Sequence, residues 1–127
     1  MNKNTKKILI ADDDTAILDS MTMILEDAGY TVITTGDGNI IQEVRNNLPD
    51  LILLDIWISG IDSRDICKYL KNQEATKHVP LILFSAYRDE KEIALKSGAD
   101  DFMAKPFEMS LLLSKVKVNI TNKHNGS

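Results

Sequence analysis

Four large apolar residues in a row, Leu51-Ile52-Leu53-Leu54, end on a carboxylate at Asp55, between Pro49-Asp50 on one side and Ser59-Gly60 on the other. A run of that length with no polar alternation reads as a strand buried on both faces, and strands of that kind belong to parallel sheets covered by helices. In open parallel sheets, ligands sit outside the carboxyl ends of the strands, which is where Asp55 falls. The rest of the chain decides what meets it there.

The remaining residues alternate between the two periods such a sheet requires. Ile8-Leu9-Ile10-Ala11 is a short strand that runs into Asp12-Asp13-Asp14. From Asp14 or Thr15 the period changes, and Ile17, Leu18, Met21, Ile24, Leu25 and Ala28 share one helical face, with Gly29 as a left-handed stop. Tyr30 to Thr35 is β-branched and aromatic, closed by Gly36-Asp37-Gly38. A helix follows with Ile40, Ile41, Val44 and Leu48 inward. Beyond Leu51 to Asp55, a third helix from about Asp62 carries Ile66, Tyr69 and Leu70 inward.

Val79 to Ser85 is the fourth strand, and a helix from about Asp89 with Ile93, Ala94 and Leu95 stops at Gly98. The fifth strand, Asp100 to Ala104, is weakly encoded, because two aspartates open it and only Phe102 and Met103 support it. A last helix starts near Glu108 with Leu111, Leu112 and Val116 inward, and Thr121 to Ser127 is a polar tail. Five strand–helix alternations predict a (βα)5 α/β sandwich with a parallel sheet between two helical layers. With 127 residues, the expectation is one domain over 1–120 and a tail over 121–127, with no separate output module within these residues.

The net charge is −4 and the basic residues are scattered, so direct nucleic-acid binding and an anionic membrane surface are not expected. Cys67 is the lone cysteine, which fits a reduced, cytoplasmic setting. The start of the chain is charged, but Ile8 to Ala11 is too short for a signal-peptide apolar region, and no run approaches a membrane span. Cys67, His78 and His124 have no partners at catalytic spacing and read as structural or solvated.

The polar strand-end residues are Asp12-Asp13, Asp55, Ser85 and Lys105, all at carboxyl ends. An acid pair, a lone aspartate, a hydroxyl followed by Ala86, and Lys105-Pro106 together make the chain resemble the receiver domain of two-component response regulators over roughly residues 6 to 119. The resemblance, to stand-alone chemotaxis regulators in particular, implies a flavodoxin-like sheet of order 2-1-3-4-5, in which Asp12, Asp13 and Asp55 converge at the topological switch point.

It further implies Asp55 as phosphoacceptor and metal ligand, and Asp13 as a direct Mg²⁺ ligand. Asp12 would hold the metal largely through water, and Trp57 through its backbone carbonyl. Ser85 and Lys105 would bind phosphoryl oxygens, and Lys105-Pro106 is often a cis bond in the family. Three carboxylates in contact need a hard divalent cation or raised pKa values to relieve their repulsion. Switching would couple Ser85 to inward rotation of Phe102 and remodel the face of helix four, strand five and helix five.

The expected activity is that of a stand-alone switch that catalyses its own phosphoryl transfer and autodephosphorylation and is not otherwise an enzyme. Its expected partners are a histidine kinase or phosphotransfer protein and a downstream protein target, with the switch itself a monomer or a phosphorylation-dependent dimer. Trp57 and Tyr87 would restrict attacking water. Ser59 and Ser63 depart from the Pro and Gly usual four and eight residues after the acceptor, which leaves that loop's geometry open. One rival is a haloacid-dehalogenase-like phosphatase with Asp12 as nucleophile, but Ala16 and the order of Asp100-Asp101 before Lys105 fit it poorly. Another is a pseudo-receiver that binds without being phosphorylated.

Overall fold

In the computed structural model, which describes residues 5–36 and 39–125 with side chains through residue 121, all five residues of Leu51–Asp55 are buried, as an unbroken apolar run requires. This strand, β3, lies between β1 (Lys7–Ala11) and β6 (Leu81–Ser85), with β2 (Thr31–Thr35) and β7 (Asp101–Ala104) outside them. All four pairings are parallel and the order is β2-β1-β3-β6-β7, the expected 2-1-3-4-5 counted within this sheet. Asp37 and Gly38, expected to close the second strand, lie outside the described residues.

Side-chain alternation along the strands divides the core into two layers. Ile8, Ile10, Leu51, Leu53, Ile82, Phe84 and Met103 pack against α1 (Thr15–Asp27) and α5 (Met109–Asn125) through Leu18, Met21, Leu25, Leu112, Val116 and Ile120. On the opposite face, Leu9, Ala11, Ile52, Leu54, Leu81 and Leu83 meet α2 (Ile40–Asn47), α3 (Arg64–Lys71) and α4 (Lys91–Lys96) through Ile40, Val44, Cys67, Leu70 and Ala94.

Several details differ from the sequence expectation. Tyr69 faces outward, with the Arg45 guanidinium 5.6 Å from its ring centroid, and Cys67 takes the inward place. Ile93, Leu95, Leu111 and Leu48 are exposed, because α4 buries only Ala94, α5 turns Leu112 inward, and Leu48 is the left-handed cap of α2. The backbone of α5 is helical to Asn125, beyond the boundary expected at residue 120.

The weakly encoded fifth strand forms because its acids have partners. Asp100 accepts from the Leu81 amide and the Lys71 ammonium, both at 2.8 Å, and Asp101 accepts from Lys115 at 2.8 Å and Asn119 at 3.1 Å. Burial alone would raise the Asp101 carboxyl, but these hydrogen bonds, with that from the Phe102 amide, outweigh it and hold it below the usual range.

Candidate active site

Parallel register brings the polar residues together. Ala11 pairs with Leu54, so Asp12 and Asp55 come next side by side; Asp55 pairs with Phe84, just before Ser85; Ser85 pairs with Ala104, just before Lys105. Neighbouring strands lie about 4.8 Å apart, so each step across the sheet adds one functional group within reach of the last.

Asp12, Asp13 and Asp55 have carboxylate oxygens all within 4.8 Å of one another. Asp12 is fully buried and Asp55 is 5% exposed, whereas Asp13 is exposed. The Lys105 ammonium bridges two of them, donating to Asp12 Oδ2 at 2.9 Å and Asp55 Oδ2 at 3.2 Å, and lies 5.1 Å from the Phe84 ring centroid. The Lys105-Pro106 peptide is cis, as the resemblance implies. Asp12 also accepts from the Asp14 amide at 2.9 Å, while Asp14 caps α1 by accepting from Ala16 and Ile17 amides. One aspartate of the triplet is therefore a helix cap and two belong to the site.

Burial, reinforced by the neighbouring charge of Asp12, raises the Asp55 carboxyl to about 6, with Lys105 and the Trp57 amide opposing the rise. For Lys105 the balance runs the other way. Burial would lower it, but its bonds and charge attraction to Asp12 and Asp55 prevail and hold it raised.

The loop after β3 forms a small antiparallel hairpin, β4 (Trp57–Ile58) with β5 (Ile61–Asp62). Ser59 and Gly60 turn it at φ 52° and 77°. Proline could adopt neither that angle nor the bond Ser59 makes, since its amide donates to Asp13 Oδ2 at 2.6 Å. Ser63 is buried, and its hydroxyl donates to the carbonyl of Asp55. The two departures from the family pattern thus brace Asp13 and the Asp55 backbone.

Ser85 is fully buried at the other edge; its hydroxyl donates to Glu90 and accepts from the Tyr87 amide at 3.0 Å. Trp57 is 39% exposed, and its indole N–H also points to Glu90, at 3.3 and 3.2 Å from the two carboxylate oxygens. Sequence reading did not single out Glu90. Five residues from Ser85 and 33 from Trp57, it belongs to no spacing that would have marked it.

A cleft of about 620 Å³ opens over Asp55 and Lys105, bordered by Trp57, Tyr87 and Glu90. Phe102 sits apart from it, buried in the layer with Ala94 and Leu83. Cys67 is buried, which pushes its thiol up to about 12 and removes it as a nucleophile.

Three carboxylates balanced by one ammonium leave excess negative charge in oxygen donors at close range, a set suited to a hard divalent cation. Asp55 meets the cleft while Asp12 lies behind it with no exposed surface, opposite to what an Asp12 nucleophile needs.

The family model described as "Response regulator receiver domain" matches residues 8–117. The DNA-binding response regulator MtrA of Mycolicibacterium smegmatis is 32% identical over 123 residues, covering 94% of this chain but 53% of its own. The chain therefore spans about half the length of that curated relative. Among solved structures, a two-component response regulator from Clostridium difficile superposes with a TM-score of 0.84 at 30% identity, over 95% of this chain and 99% of that one. A CheY-like receiver domain protein from Methanospirillum hungatei gives a TM-score of 0.88 at 29% identity, over 98% and 100%.

Proposed function

The chain belongs to the response regulator receiver domain family, and on that footing we propose that Asp55 accepts a phosphoryl group from a histidine kinase or phosphotransfer protein. The observation that supports this reading most is the Lys105 ammonium held between Asp12 and Asp55, with Asp55 alone of the two facing the cleft. With its carboxyl at about 6, Asp55 is roughly nine-tenths ionised at neutral pH and available as a nucleophile.

In the transfer, an Asp55 carboxylate oxygen attacks phosphorus as the bond from phosphorus to the donor's histidine nitrogen breaks, and that nitrogen leaves with the electron pair. Lys105 releases the Asp55 oxygen and turns its charge to the phosphoryl oxygens. Asp13, Asp55 and the Trp57 carbonyl would hold Mg²⁺ directly and Asp12 largely through water, with the Ser59 amide orienting Asp13. A divalent cation held there would supply charge neutralisation for the transferring phosphoryl group. Ser85 donates its hydroxyl to the phosphoryl group.

Phe102 is packed inside in this structure, and movement of Ser85 toward the phosphoryl group, coupled to Phe102, would remodel the face of α4, β7 and α5 by population shift. That face serves a downstream protein or a second phosphorylated copy. Water later hydrolyses the aspartyl phosphate, at a rate that Trp57 and Tyr87 limit by covering the cleft. Among the described residues no helix is long and apolar enough to cross a membrane. On the proposed reading, exchange with the kinase takes place in the cytoplasm.

Beryllofluoride, a phosphoryl mimic, tests the site. Trp57 is the sole tryptophan, so its fluorescence should report saturable, Mg²⁺-dependent binding in wild type that disappears in Asp55→Asn. Binding that persists in Asp55→Asn and disappears in Asp12→Asn would favour the phosphatase arrangement.

A further inference from the structure

The Ser85 hydroxyl carries one hydrogen, and Glu90 holds it. The same carboxylate accepts the Trp57 indole N–H, so it ties the loop two residues beyond Asp55 to the strand end across the cleft. Glu90 has the reach to do this because it ends the 3-10 turn Arg88–Glu90 and stands as the N-cap of α4. The bond from the Tyr87 amide uses a lone pair of Ser85 and not its hydrogen, so it is compatible with either direction of the hydroxyl. Only the bond to Glu90 competes with donation to a phosphoryl oxygen.

We propose that Glu90 is a positioning residue that latches the resting site, holding the Ser85 proton and the Trp57 indole on one carboxylate until a phosphoryl group on Asp55 takes the proton over. This inference rests on Asp55 being the phosphoacceptor and adds the contact that opposes activation. Phosphorylation must exchange a charge-assisted hydrogen bond for another of the same kind, so the latch lowers the population of the active arrangement before a phosphoryl group arrives. Release frees Glu90 at the start of α4, which links the exchange to the helix whose face meets partners. Glu90 then keeps the Trp57 indole without the Ser85 hydroxyl, so the surroundings of Trp57 change in the same event.

The test is a double-mutant cycle on Mg²⁺-dependent beryllofluoride binding, with the full chain and Trp57 emission as readout. Glu90→Ala is expected to bind about tenfold tighter than wild type, the scale of one lost hydrogen bond to a charged group. In a Ser85→Ala background the same substitution should produce no tightening, because there is no proton to compete for. Asp89→Asn, which removes a neighbouring charge that borders the same cleft, should leave affinity unchanged.

In metal-free protein, the emission spectrum of Glu90→Ala should differ from that of wild type, since the indole loses its acceptor. If the alanine variant does not fold, the cycle is run with Glu90→Gln, whose neutral amide oxygen is a weaker acceptor, and read the same way.

Unchanged affinity in Glu90→Ala, or an equal tightening with and without the Ser85 hydroxyl, would overturn the latch, the second result reducing Glu90 to a repelling charge. Identical metal-free spectra would also overturn it. A wild-type protein that binds no beryllofluoride would instead bring down the phosphoacceptor reading itself, and the latch with it.

Discussion

Replacing Lys105 by methionine is expected to slow phosphoryl incorporation from a small-molecule donor by roughly a hundredfold, the usual cost of removing one aimed donor from developing negative charge. Methionine keeps much of the side-chain length and removes the ammonium that lies 5.1 Å from the Phe84 ring centroid. Divalent-cation affinity in the same variant should hold or rise, because the ammonium occupies Asp12 Oδ2 and Asp55 Oδ2 in the resting site. The combination of slower transfer with undiminished metal binding separates a charge clamp from a strut that merely holds the carboxylates apart. An unchanged transfer rate in Lys105→Met would remove Lys105 from the chemistry.

Asp55→Asn is expected to make the metal-free protein more stable, by about 2–3 kcal/mol at pH 7 to 8, from a carboxyl raised from 3.8 to about 6. The sign follows from proton binding. Between about pH 4 and pH 6 the folded protein holds a proton on Asp55 that the unfolded chain has released, so stability falls as pH rises through that window. Above about 6 the carboxylate is charged in both states and the cost of burying it beside Asp12 is fully present. Asparagine does not ionise, and Lys105 keeps Asp12 as its partner in the variant. Urea denaturation in chelator should therefore show the two proteins converging below about pH 4 and separating above 6. Added Mg²⁺ should narrow the gap, because it stabilises the wild type at the carboxylates the variant has depleted.

Much of this site is legible in the chain itself, and the reason is register. Parallel strands put the residues at or just past their last ladder pairs at one end of the sheet, so chain position assigns Asp12, Asp55, Ser85 and Lys105 to that end, whereas their standing side by side follows from the strand order that the family resemblance implies. The two-layer core follows similarly from the alternation of Leu51, Ile52, Leu53 and Leu54. Where reading failed, a single helical turn decided the outcome. Periodicity puts Tyr69 and Cys67 on opposite flanks of the Ile66 and Leu70 stripe of α3, and in the fold Cys67 joins Leu70 in the core while Tyr69 is left exposed beside Arg45.

The loop after β3 was legible only as a departure. Ser59 and Ser63 stood out for what they replaced, but their use depended on backbone angles. A φ of 52° aims the Ser59 amide at Asp13, and the turn into α3 brings the Ser63 hydroxyl onto the Asp55 carbonyl. Glu90 left no trace in the sequence, since its contacts join a hairpin to a strand end through a 3-10 turn that apolar periodicity does not encode. Asp100-Asp101 misled in the opposite direction. They look hostile to a strand until Lys71, Lys115, Asn119 and the Leu81 amide are seen to satisfy them.

Whether Asp55 or Asp12 carries the phosphoryl group can be decided chemically. The protein is treated with a small-molecule phosphodonor and Mg²⁺, the acyl phosphate is trapped by borohydride reduction, and the modified residue is located by peptide mass spectrometry. Reduction products are expected at residue 55 only, and none in Asp55→Asn. Modification at Asp12, or modification that survives in Asp55→Asn, would show the assignment of Asp55 to be wrong.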